Sequence, residues 1–166
     1  MKPPNDPRRA KAIGRFLMVR LNVRESAAWI ELPANARLFL EALELVAMKA
    51  SFPESGELVA TYNHLVAYGL RRSSIHQAVL EAEALGFVVI VRKGFRGPAD
   101  VRVPSVYRLT YISGPVSFPL PTDEWRKHKS RHAARRAVRE VKELLEKERE
   151  HRLARRRGSD SHRGVA

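Results

Sequence analysis

The chain contains no cysteine. Disulfides, thiolate nucleophiles and cysteine-ligated zinc sites are therefore excluded, and the composition suits a reducing cytoplasm. No apolar run among the 166 residues approaches the eighteen or so needed to span a bilayer. The opening stretch MKPPNDPRRAKAIGRFLMVRL is basic but lacks the apolar centre of a signal peptide, so a soluble, cytoplasmic protein is expected. Three catalytic signatures are also missing: a phosphate-cradling Gly-Lys-Ser/Thr loop, His-Glu-x-x-His and Gly-x-Ser-x-Gly. Four tyrosines are present, but no metal cluster or arginine–histidine set surrounds them in sequence to support strand-nicking chemistry. Glu124, His128 and His132 share an i, i+4, i+8 spacing that suits zinc only on a continuous helix, and no second-shell pattern accompanies them. Neither an enzyme, nor a metal, nor a cofactor is expected.

Acidic residues are scarce. Asp and Glu number 18 against 31 Lys and Arg, a formal net charge of +13 at pH 7. Such an excess attracts polyanions, because each phosphate neutralised by a cationic side chain releases a condensed counterion. Nucleic acid is the first partner to consider and an anionic membrane the second. Hydrophobic residues at 44% still leave enough apolar surface for one folded domain with appendages.

Along the chain, residues 1–15 are rich in proline and basic side chains and read as a mobile arm. FLMVRLNV (16–23) suits a short strand or an extended segment lying on the core. Ser26 is placed to cap a short turn holding Trp29. A long helix is expected from about Leu32 to Lys49, with Pro33 in its first turn and Phe39, Leu40, Leu43, Val46 and Ala47 inward. Leu38, Leu45 and Met48 widen its apolar face, which a second copy or the N-terminal segment would cover. SFPESG (51–56) is turn chemistry, and Glu57 to Ala60 suits a very short strand. Thr61 would cap a compact helix stopping at Gly69. Ser73 or Ser74 would cap a third helix running to Leu85, with Ile75, Ala78, Val79, Ala82 and Leu85 inward and Gly86 ending it in the left-handed conformation. FVVIVR (87–92) is a β-branched strand, KGFRGPADVRVP (93–104) an irregular basic loop, and SVYRLTYI (105–112) a returning strand. Trp29 and Trp125 read as core or docking anchors, and Tyr107, Leu109 and Tyr111 as strand packing.

SGPVSFPLP (113–121) reads as a linker. From Asp123 to Arg157 neither proline nor glycine occurs, so one long helix is expected over 122–157, followed by a disordered tail over 158–166. Ala134, Val138, Val141 and Leu145 are its best apolar stripe, too thin for a self-sufficient core helix. Arg131, Arg135, Arg136 and Arg139 on nearby turns suit phosphate contact. Pairing with a second copy through the stripe, or a solvated helix laced by Glu–Arg pairs, are the alternatives. Bulky apolar residues are missing opposite its charges, which disfavours a membrane.

The order helix, short strand, helix, tight turn, helix, strand, basic loop, strand is that of an α+β winged helix–turn–helix domain over 16–112. A helix fits the DNA major groove with its N-terminal half toward base edges, and a basic glycine-bearing tip suits phosphates or the minor groove. GLRRSSIHQAVLEAEALGFVVIVRKGFRG, then PSVYRLTYI and PTDEWR, resembles winged-helix DNA-binding proteins of bacterial plasmids and other mobile elements, replication-associated proteins and transcriptional regulators among them. The resemblance covers about 16–126. It implies that Ser73, Ser74, His76 and Gln77 face the groove and that Arg71 and Arg72 contact backbone or bases. Glu81 and Glu83 depart from a basic reading helix and confine contact to its first two turns. Arg92, Lys93 and Arg96 in the wing, with Arg131 and Arg135 in the tail helix, complete the expected interface. Duplex DNA bound by a homodimer is the expected partnership, in transcriptional regulation or replication and maintenance of a mobile element. The alternative is a protein-docking adaptor with a non-specific basic tail. RNA shares the charge, but no exposed aromatic platform for unpaired bases is expected.

Overall fold

In a computed structural model, residues 16–98 and 102–161 are described, with side chains up to Arg155. The expected basic arm, the tip of the 93–104 loop and the end of the tail lie outside these residues. The chain is a mixed α+β fold. Two single-turn helices, α1 (Leu21–Arg24) and α2 (Ala27–Ile30), precede a long α3 (Ala34–Lys49). Then come β1 (Leu58–Ala60), α4 (Tyr62–Ala67), a 3₁₀ turn at Arg72–Ser74 and α5 (Ile75–Ala84). Strands β2 (Val88–Arg92), β3 (Phe95–Arg96), β4 (Arg102–Val103) and β5 (Ser105–Leu109) follow, with a second 3₁₀ turn at Glu124–Lys127 and the terminal helix α6 (Arg131–Ser161). The main sheet is antiparallel in the order β1-β5-β2, and β3 and β4 pair separately as a two-stranded ribbon.

Local chemistry explains most boundaries. The hydroxyl oxygen of Ser26 accepts the Trp29 amide at 3.1 Å, and that of Thr61 accepts the His64 amide at 3.2 Å, so α2 and α4 begin where the sequence predicts. Gly69 and Gly86 take φ of +114° and +79° at the ends of α4 and α5. Pro33 sits one position outside α3 rather than in its first turn. Neither Ser73 nor Ser74 caps α5: both lie in the 3₁₀ turn, and Ser74 makes no side-chain cap bond. Leu21 to Val23 is helical, so only residues 16–20 keep the expected extended form, with Leu17 and Val19 packed on the core.

One apolar core joins all the layers. Trp29, Phe87 and Tyr111 meet edge-on with centroids 5.3–6.0 Å apart, and Phe39 meets Tyr107 in the same way. Each such pair adds about 0.5–1.5 kcal/mol beyond its buried area. The five inward residues predicted for α5 are all buried. Residues 113–121 are no free spacer: Phe118 is 6% exposed and packs edge-on against Phe52.

The tail differs from one uninterrupted helix. Asp123 adopts a left-handed φ of +53°, the 3₁₀ turn carries buried Trp125, and α6 begins only at Arg131. That break removes the shared face of Glu124, His128 and His132. His128 instead donates from Nε2 to the Ala84 carbonyl at 2.9 Å, and among the described residues no group of three metal-ligating side chains forms. Ala134, Val138 and Val141 are buried, so α6 docks on the domain by the predicted stripe. No helix among the described residues is long and apolar enough to cross a membrane.

Candidate nucleic-acid interface

The residues singled out by sequence separate into three places. Arg71, Arg72 and Ser73 are exposed on the 3₁₀ turn that leads into α5, Ser74 is half-buried there, and His76 is exposed one residue into the helix. The Arg72 guanidinium is not loose. Its Nη2 donates to Asn63 Oδ1 at 2.5 Å, which fixes the start of α5 to α4. Gln77 is partly buried, and its Nε2 donates to Glu81 Oε1 at 2.8 Å. Glu81, 1% exposed, and Glu83, which accepts the Ile90 amide at 3.4 Å, are both turned to internal partners. The acidic half of α5 is thus structural, and the Gln77 amide is committed within its own helix.

The second place is the hairpin. The stretch expected to be an irregular loop is ordered in part: Phe95 pairs with Val103 and Arg96 with Arg102, extending beyond the β2–β5 pair past a register shift between Ile90 and Arg92. Gly94 makes the ribbon possible. Its amide donates to Ser105 Oγ at 2.8 Å, and a Cβ there would lie 2.7 Å from the Val103 carbonyl oxygen. Arg92, Lys93, Phe95 and Arg96 are all exposed. Between the ribbon and the start of α4 lies a cleft of about 520 Å³, lined by Arg72, Arg96 and Arg102 along with Tyr62, Asn63 and Phe95. Its described lining holds three arginines and no carboxylate. Arg102, Asn63 and the two aromatics were missed by sequence reasoning, although an aromatic inside KGFRG was a visible signal. Phe95 is 57% and Tyr62 39% exposed, so two aromatic rings border the cleft, which the sequence reading did not anticipate.

The third place is α6, which runs antiparallel to α5. His128, just before α6, meets the last turn of α5, whereas Lys142, Leu145, Glu146, Arg149, Arg152 and Leu153 face Ser73, His76 and Gln77 across a cleft of about 730 Å³. At 1.5 Å per residue its 31 residues reach about 46 Å, so it continues well past the start of α5. Arg131 and Arg135, expected on phosphates, are drawn to one carboxylate instead: Glu31 accepts from their Nε atoms at 2.5 and 2.7 Å. Hydrogen bonds from Arg135 and Arg131 hold Glu31 below the usual carboxylate range. Arg136 and Arg139 pair along the helix with Glu140 and Glu143 at 3.5 and 3.9 Å, as the laced-helix alternative anticipates. The basic residues of α6 that adjoin the start of α5 are therefore Lys142, Arg149 and Arg152.

No protein-family model matches this chain, and neither a curated protein nor a solved structure resembles it significantly.

Proposed function

We propose that the chain is a winged helix–turn–helix protein that binds duplex DNA, with α4, the 3₁₀ turn and α5 as the helix–turn–helix and β2–β5 as the wing. The strand order β1-β5-β2, with the α4–α5 pair between β1 and β2, supports the topology. The observation that carries the binding is the cleft lined together by Arg72 from the helix–turn–helix and by Arg96 and Arg102 from the ribbon. Guanidinium groups lining one cleft suit backbone phosphates, while Arg71, Ser73 and His76 are exposed at the start of α5, Ser73 and His76 in the open cleft shared with α6 into which base edges would enter. Transcriptional regulation, or replication and maintenance of a mobile element, is the process this reading supports.

Salt dependence tests it. Each phosphate contact adds about 0.9 to the slope of log affinity against log salt. Replacing Arg72, Arg96 and Arg102 together by alanine should lower the slope on duplex DNA by about 2–3 and weaken every sequence alike. An unchanged slope would contradict the reading.

An apolar cleft of about 530 Å³ opens between α3, β1 and α4, lined by Leu45, Val46, Val59 and Tyr68 among others. Leu45 belongs to the face on which the sequence suggests a dimer contact. A homodimer through this face is the form we propose for the DNA-binding protein. Light scattering of wild type and Leu45→Glu tests it: the variant should be half the mass.

A further inference from the structure

The arginines of the α4–ribbon cleft fit any phosphate backbone. Its aromatics ask for something more. Phe95 stands on the ribbon, more than half exposed, and Tyr62 opens α4 on the other side of the same cleft. A duplex keeps its bases stacked inside and offers its outer surface as sugar and phosphate, which gives two exposed rings little to contact. An unpaired nucleotide offers both a flat π-face for an aromatic ring and a phosphate for a guanidinium. The cleft volume of about 520 Å³ lies within the roughly 300–1,000 Å³ range of sites that enclose small ligands.

The rings are also placed to be used. Phe95 is held from behind, because its strand pairs with Val103 and the neighbouring Gly94 is tied to Ser105. Arg72 is fixed by Asn63, so one cation sits at the cleft wall at little further ordering cost. In the free chain the exposed area of Phe95 has no compensating contact in the described core: it belongs neither to the buried cluster nor to the residues packed against it.

We infer that the cleft between α4 and the β3–β4 ribbon takes an unpaired nucleotide of a DNA strand, its base against Phe95 and Tyr62 and its phosphates on Arg72, Arg96 and Arg102. The inference rests on the nucleic-acid reading above and extends it from paired to unpaired strands. At a junction the backbone that leaves the duplex would cross the same arginines and turn its first unpaired base onto the rings, so the protein would favour places where a duplex opens.

The test is fluorescence anisotropy at physiological salt with four labelled probes: a blunt duplex, the same duplex with a single-stranded tail, the tail strand alone, and that strand as RNA. The expected result is tighter binding of the tailed duplex than of the blunt one. Phe95→Ala should weaken the tail strand about tenfold, the scale of one lost base stack, and the blunt duplex less than twofold. Phe95→Tyr, which keeps the ring, should restore the tail strand. Phe95 is exposed, so the alanine variant should melt as wild type does, which separates loss of binding from loss of fold. Equal loss on blunt duplex and tail strand would overturn the inference, as would tighter binding of RNA than of DNA. Blunt-duplex binding without any gain from the tail would overturn this inference alone. Failure to bind any probe, even at low salt, would overturn the DNA-binding reading with it.

Discussion

Single residues decide how the parts of this fold are joined. Gly86 combines a φ of +79° with a position where a Cβ would lie 2.6 Å from the Glu124 carbonyl carbon and 2.7 Å from the Trp125 amide nitrogen. Those are backbone atoms, which cannot swing aside. Gly86→Ala should cost at least about 1–3 kcal/mol in urea unfolding, from strain at the left-handed φ and a displaced 3₁₀ turn. Asp123 joins the N-terminal segment to the start of the tail. It accepts from Arg20, at 2.8 Å to one oxygen, and from Trp125 Nε1 at 3.1 Å. Burial pushes its carboxyl up, but hydrogen bonds from Arg20 and Trp125 and the charges of Arg20 and Arg126 outweigh it, leaving the group below its ordinary range. A lowered folded value means stability that is present above the unfolded value of 3.8 and lost as pH falls through the folded one. Asp123→Asn should therefore flatten the loss of melting temperature below about pH 4. Glu44 has the opposite sign. Desolvation raises it, partly offset by the hydroxyl that Tyr111 donates, so its contribution is greatest below the unfolded value and declines as pH rises through the folded one. Glu44→Gln keeps an acceptor for Tyr111 without a buried charge. Its melting temperature at pH 7 should equal or exceed that of wild type; a drop would contradict this account.

At the scale of elements, what the sequence announces is what short-range chemistry controls. Ser26, Thr61, Gly69 and Gly86 mark helix ends because a cap bond or a positive φ needs only neighbouring residues. The α5 stripe and the β5 strand follow from periodicity, and the β2 strand from its run of β-branched residues. Three features escaped this logic. The 3₁₀ turn at Arg72–Ser74 displaced two good capping serines, and Arg72 anchors there through Asn63, nine residues earlier. The β3–β4 ribbon depends on the close backbone approach at Gly94, which composition does not reveal. The break before α6 follows from Asp123 meeting Arg20, the Glu124–Trp125 backbone lying against Gly86 and His128 meeting Ala84, all far back in the chain, and the capture of Arg131 and Arg135 by Glu31 spans about a hundred residues. The Gln77–Glu81 pair was legible, since amide and carboxylate at i, i+4 lie on one helix face. The lower half of α6 holds the buried Ala134, Val138 and Val141, whereas the upper half presents Lys142, Arg149 and Arg152 beside α5. A chain ending at Leu145 should keep its stability within about 0.5 kcal/mol, yet bind duplex DNA more weakly and with a shallower salt dependence. Tighter binding by the shortened chain would show that α6 covers the reading face instead of extending it.

For the whole molecule, a net charge of +13 guarantees attraction to polyanions but says nothing of order within it. The fold distributes that charge unevenly. Arg131, Arg135, Arg136 and Arg139 have carboxylate partners, and Arg20 has Asp123. Arg72, Arg96 and Arg102 gather instead around one cleft between α4 and the ribbon. The central claim is that this face reads DNA sequence, and selection from a random-sequence duplex pool at low and physiological salt tests it most directly. The account predicts steeply salt-dependent retention and an enriched motif, with the enrichment lost when Arg71 and Arg72 are both alanine. Absence of binding at either salt would contradict it.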